Sequence, residues 1–153
     1  RVLSNLIQKI PRTIFDFLTD EFIHSTLSLS LTANITVKIE AAYFFATCIR
    51  YFQTDRLKSF LQNDCNGCID LLDEMLASGI KDIILRCVET VTRVIFCLSD
   101  DPYVLTIISS LEESGIIKDL YNLVEEEEDN HLIQMILDLM NIINRLCKED
   151  DSI

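Results

Sequence analysis

Two stretches of this chain lie over one another without a gap. Aligning Gly67 on Gly115 carries Ile69 onto Ile117, Leu72 onto Leu120, Met75 onto Leu123, Leu85 onto Ile133, Val88 onto Ile136, Val91 onto Leu139 and Val94 onto Ile142. Upstream, the same offset of 48 sets Leu57 on Leu105 and Phe60 on Ile108. Within each stretch the matched apolar positions recur every three residues, close to the period of one face of a helix. A unit of about 45 residues made of short helices cannot bury those faces alone, and becomes stable when copies stack and share a core. The repeat therefore restricts the chain to stacked, all-helical architectures.

Reading along the chain with that period places every element. Residues 1–9 read as the end of a helix from a preceding unit. Pro11, followed by Thr13, breaks it and opens another helix through Phe15 and Leu18. Asp20 to Thr32 predicts a helix, although Leu27-Ser28-Leu29-Ser30-Leu31 alternates with period two as a strand would. Ala33 to Thr36 is a loop. Val37 to Phe52 predicts a helix with Ile39, Ala42, Phe45, Cys48 and Ile49 on its apolar positions. Further helices are expected near 55–63, 67–77 and 81–98, then near 102–113, 115–126 and 130–148. Ser99-Asp100-Asp101-Pro102 is a stop and restart, with a capping candidate before Pro at a first helical position. Gly67 and Gly115 fall at sharp turns between first and second helices. The expectation is an all-α chain of about three three-helix units, 12–52, 55–98 and 102–148, with an acidic tail at 149–153. Helical periods near this length belong to armadillo and HEAT arrays, so an armadillo-repeat α-solenoid is predicted. Arg1 already stands within the apolar pattern of Val2, Leu3, Leu6 and Ile7, so the sequence reads as a piece of a longer array.

Composition agrees and narrows the functions. Hydrophobic residues make up 49% of the chain, against only 3 Gly and 2 Pro, which suits helices better than hairpins. The net charge of −12 argues against a nucleic-acid backbone as ligand and suits a basic partner. The longest apolar runs, Ala41 to Phe52 and Ile83 to Leu98, are interrupted by Arg50, Arg86, Glu89 and Arg93, so no membrane span is expected. Of the six cysteines, Cys48 and Cys87 fall on apolar helix faces and read as small hydrophobes, pointing to a reducing, intracellular setting.

At the residue level, Glu40-Ala41-Ala42-Tyr43-Phe44-Phe45-Ala46-Thr47 resembles the glutamate-alanine-X-tryptophan-X-X-X-asparagine pattern of importin-α armadillo repeats. Downstream, Cys68 to Leu76, then Asp82-Ile83-Ile84, and then Leu111-Glu112-Glu113-Ser114-Gly115-Ile116-Ile117-Lys118-Asp119-Leu120 resemble the end of that family in the same order. The likeness spans nearly the whole chain. It implies an adaptor in cytoplasm and nucleus that reads basic nuclear localisation signal peptides. Its terminal repeats offer a docking face to the recycling exportin and, in some members, to nucleoporins; the import receptor is bound through a segment this sequence lacks.

The resemblance assigns a degenerate cargo-peptide site to Ser4, Asn5, Glu40, Tyr43 and Thr47. In the family, a tryptophan slots the stems of Lys and Arg while an asparagine one turn later holds the peptide backbone. Here Ser4 and Asn5 match the motif's ending, with Arg1 in the tryptophan position. Glu40 matches the glutamate, Tyr43 stands for the tryptophan and Thr47 for the asparagine. In the next unit Glu89 and Arg93 are taken to occupy the equivalent positions, closing any slot there. Weak peptide binding follows. A generic armadillo or HEAT interaction scaffold outside nuclear transport is the alternative, since shared core packing alone produces the same periodicity.

Other constellations carry less. Cys65-Asn66-Gly67-Cys68 is a lone CxxC, and His24 and His131 stand in different units, so a four-ligand zinc site is not expected. The run Glu125 to Asp129 reads as a solvated turn, with Asp129 and Asn130 capping the helix that follows. No phosphate-cradling loop or nucleophile triad is present. The sequence predicts no enzyme, no cofactor and no metal.

Overall fold

The computed structural model describes residues 2–9 and 18–150, and within them the chain forms nine helices and no strand. They are α1 (Val2–Lys9), α2 (Asp20–Leu31), α3 (Ile35–Tyr51), α4 (Thr54–Asn63), α5 (Cys65–Ala77), α6 (Lys81–Cys97), α7 (Tyr103–Glu113), α8 (Ile116–Glu126) and α9 (Asn130–Asp150). The helix expected through Pro11, Thr13 and Phe15 lies outside the described residues, as do Arg1 and residues 151–153.

The alternating segment of α2 shows how the local conflict is resolved. Thr19 caps the helix, its Oγ1 accepting the Phe22 N–H at 3.2 Å. Ile23 and Leu27 are fully buried and Ser30 is buried beside them, while Leu29 is 73% exposed. Positions 23, 27 and 30 share one helical face, so the period of 3.6 decides burial and the period-two leucines do not. Ser30 satisfies its buried hydroxyl by donating to the Leu27 carbonyl at 2.6 Å. In α3, Asn34 Oδ1 accepts the Val37 N–H at 3.2 Å and opens the helix two residues before the predicted start.

The helices pack in two rows. In one, α1 lies against α3, α3 against α6, and α6 against α9. In the other, α2 lies against α5 and α5 against α8; α4 also packs on α5, and α7 packs on α5, α6, α8 and α9. A single apolar core runs between the rows from Leu18 to Leu146. Phe45, Phe52 and Phe60 are its largest fully buried side chains, and burying each contributes about 1.5–3 kcal/mol.

Polar bonds tie together helices that lie far apart along the chain. Arg56 reaches Asp20, His24 Nδ1 meets Asp64 at 2.9 Å, Lys38 pairs with Glu74 at 2.8 Å, and Lys58 pairs with Asp101 at 2.6 Å. The partners in these bonds are 36 to 43 residues apart.

The two aligned glycines do different work. Gly115, between α7 and α8, has a φ of 89°, the left-handed region that side chains avoid. Gly67 lies inside the first turn of α5 rather than at the turn before it. An added Cβ there would meet the Asp64 carboxylate at 2.6 to 2.8 Å. Asp64 caps α5 by accepting the Gly67 N–H at 3.0 Å, and a bare Cα allows that close approach.

Candidate functional site

The row α1–α3–α6 opens a groove of about 450 Å³. From α1 it takes Ser4, Asn5 and Gln8; from α3, Tyr43, Ala46, Thr47 and Arg50; from α6, Arg86, Glu89, Thr90 and Arg93. Each set follows the series i, i+3, i+4, i+7 or part of it, so each is one stripe of a helix turned to a common space. Four of the five residues assigned from the sequence, Ser4, Asn5, Tyr43 and Thr47, meet here. The fifth, Glu40, is half-buried on α3 one turn before Tyr43 and is not part of the groove wall.

The α3 and α6 stripes correspond position by position: Tyr43 to Arg86, Ala46 to Glu89, Thr47 to Thr90 and Arg50 to Arg93. The threonines confirm the register. Both are buried, and both hydroxyls donate 2.7 Å into their own helix, Thr47 to the Tyr43 carbonyl and Thr90 to that of Arg86. Thr47 therefore spends its proton on the backbone, and only its oxygen lone pairs remain for a ligand. This register differs from the sequence alignment, which set Glu89 and Arg93 opposite Tyr43 and Thr47.

Charge is the feature that sequence reasoning missed. Three arginines and one glutamate line the groove. Glu89 is engaged by Arg86 at 2.6 Å, one turn apart on α6. Arg50 is exposed in the last turn of α3. Arg93 places Nη2 3.4 Å from the Phe52 carbonyl, at the C-terminal end of α3, where the free carbonyls favour a cation. Among the described residues its Nε is buried without a partner, and so is Ser4 Oγ, on a residue only 4% exposed. The wall thus holds two cations beyond its one ion pair, along with Asn5, Gln8 and the Tyr43 ring. On α9, 48 residues beyond the α6 stripe, stand Gln134, Leu137, Asp138 and Asn141, all exposed and none basic.

The remaining candidates take structural places. Cys65 opens α5 half-buried; Cys68 is buried, and burial first, then the Asp64 charge, pushes its thiol up. Among the described residues no three His, Cys, Asp or Glu side chains gather in a way that could hold a metal ion. The acidic run forms a tied turn: Glu127 Oε1 accepts the N–H groups of Glu128 and Asp129, and Asp129 caps α9 through His131 and Leu132 while pairing with Lys81 at 2.5 Å. No described helix is long and apolar enough to cross a membrane. No known protein family, curated protein or solved structure matches this chain.

Proposed function

We propose that this chain is an armadillo-repeat α-solenoid that works by holding a partner, with the α1–α3–α6 groove as the seat for an extended peptide segment. The observation that carries this reading is the meeting of Ser4, Asn5, Tyr43 and Thr47 in one groove, although α1 and α3 are separated by a whole intervening helix. The row of helices α1, α3, α6 and α9, and the polar bonds between helices far apart along the chain, support translational stacking. Asn5 and Gln8 offer both donors and acceptors, which suits a peptide backbone.

The specific form proposed is a nuclear import adaptor of the importin-α type. It would bind basic localisation peptides weakly through this groove and present its later units to the recycling exportin. Arg50, Arg86 and Arg93 set the expected weakness, because a lysine head laid on Tyr43 enters a wall that already carries surplus positive charge. The same arginines favour the second reading, an armadillo or HEAT scaffold outside nuclear transport. Separate titrations with a lysine-rich localisation peptide and with the recycling exportin divide the two. Saturable exportin binding with weak peptide binding supports the transport role, whereas no binding to either leaves the scaffold.

A further inference from the structure

We infer that the groove between α1, α3 and α6 selects an extended, carboxylate-rich peptide segment, with Arg50 and Arg93 reading its acidic side chains. This deepens, and rests on, the reading of the groove as a peptide seat. It concerns which peptide chemistry fits, independent of the pathway.

Three observations converge on an anionic occupant. First, the lining charge is positive although the chain as a whole carries −12. Arg86 and Glu89 neutralise one another, Arg50 has no ion pair among the described residues, and Arg93 meets only a backbone carbonyl. Second, two buried polar atoms of the wall are unsatisfied, Arg93 Nε and Ser4 Oγ. Both atoms are shielded within the wall itself, so a ligand oxygen meets them only where the Arg93 or Ser4 side chain turns outward, and that turn recovers the cost of a buried, unsatisfied group. A carboxylate engages a guanidinium edge through two parallel bonds, and the Arg93 side chain lines the groove. Third, Thr47 and Thr90 have turned their protons inward, leaving the arginines, the Tyr43 hydroxyl and the amides of Asn5 and Gln8 among the groove's donors.

A peptide fits this wall better than other anions. The amides of Asn5 and Gln8 carry acceptors as well as donors, which together match the alternating N–H and C=O groups of an extended peptide backbone. A nucleic acid brings a continuous run of phosphates to a strongly acidic protein, and this groove holds too few cations to offset the repulsion.

The test uses the full chain and a short rhodamine-labelled peptide of alternating Glu and Ala, followed by fluorescence anisotropy. A Lys-Ala peptide and a Gln-Ala peptide of equal length serve as comparisons. The acidic peptide is expected to bind saturably and at least tenfold more tightly than the lysine peptide, and to weaken with added salt. Arg50→Glu should reduce its affinity at least tenfold with an unchanged far-UV spectrum, since Arg50 is exposed and has no ion pair among the described residues. Arg50→Gln, which introduces no new charge, should give a smaller loss in the same direction. If the lysine or glutamine peptide binds as tightly as the acidic one, or if neither Arg50 variant matters, the inference falls while the peptide seat survives. If no peptide binds, both readings fall. Equal displacement by inorganic phosphate or by an oligonucleotide overturns the inference in favour of a general oxyanion site.

Discussion

Replacing Gly67 by alanine should destabilise the protein, and the same replacement should become stabilising once Asp64 is removed. Alanine normally improves a helix position over glycine by about 0.5–1 kcal/mol. At residue 67 the added methyl lies 2.6 to 2.8 Å from the Asp64 carboxylate, so the carboxylate must move. Moving it breaks the N-cap bond to the Gly67 N–H at 3.0 Å and the bond to His24 Nδ1 at 2.9 Å. A lost N-cap costs about 1 kcal/mol and a part-buried hydrogen bond about as much again. The net effect of Gly67→Ala in the native chain is then a loss of about 1 kcal/mol. With Asp64→Ala in place those bonds are already gone, and only the propensity gain remains. The two substitutions should therefore couple by about 1.5–2 kcal/mol, with a change of sign. Urea unfolding followed by circular dichroism at 222 nm, on the four members of the cycle, measures this. An equal effect of Gly67→Ala in both backgrounds would refute the argument that Asp64 is what excludes a side chain there.

Gly115→Ala should cost about 1 kcal/mol through its positive φ alone, because no atom stands within 4 Å of the new Cβ; Gly115→Asn should cost less, and thermal melts of both variants check the ranking. Asp129 is held down to about 2 by its bond from Lys81 first and the His131 and Leu132 amides next. Its stabilising contribution is full above the unfolded carboxyl value, near 4, and disappears as pH falls toward 2. Asp129→Asn should therefore melt lower than the native chain at pH 7 and converge with it near pH 2; a difference that persists at pH 2 would contradict this. Burial raises the Cys48 thiol to about 12 and raises Cys68 and Cys87 as well. An aromatic disulfide reagent should accordingly modify the half-buried Cys65, Cys97 and Cys147 in the native state, and the other three only on unfolding. Mass spectrometry of timed samples reads the order.

The helices were legible because periodicity records burial directly. Val88 and Ile136, Val91 and Leu139, and Phe60 and Ile108 share both their alignment and their full burial. The later unit is looser, however: Leu105, Ile117, Leu123 and Ile142 are half-buried where Leu57, Ile69, Met75 and Val94 are buried. Sequence identity of type says nothing of how many neighbours a position has. The glycine pair makes the same point for backbone. Gly67 and Gly115 align, yet one is needed for a close carboxylate and the other for a left-handed φ. A glycine in a sequence states that a side chain is absent, and only coordinates state which atom or angle required that.

Of the candidate groove, the sequence singled out four uncharged wall residues, Ser4, Asn5, Tyr43 and Thr47, but not its charge. The α8–α9 half of the repeat fixed an offset of 48, whereas α3 and α6 correspond at Tyr43–Arg86, Thr47–Thr90 and Arg50–Arg93, five residues closer in register. The sequence comparison that sets Glu89 opposite Tyr43 and Arg93 opposite Thr47 uses an offset of 46, and it concealed the arginine pair at the groove's end. Net charge concealed it further, because a total of −12 averages over surfaces that never meet. A ligand in the groove feels the few charges within a Debye length of about 8 Å, and there Arg50 and Arg93 outweigh a glutamate already paired with Arg86. On the proposed reading, the sign of a preferred partner is decided by a handful of wall positions on α3 and α6. An acidic chain whose inner helices place arginine at such positions can favour an acidic partner.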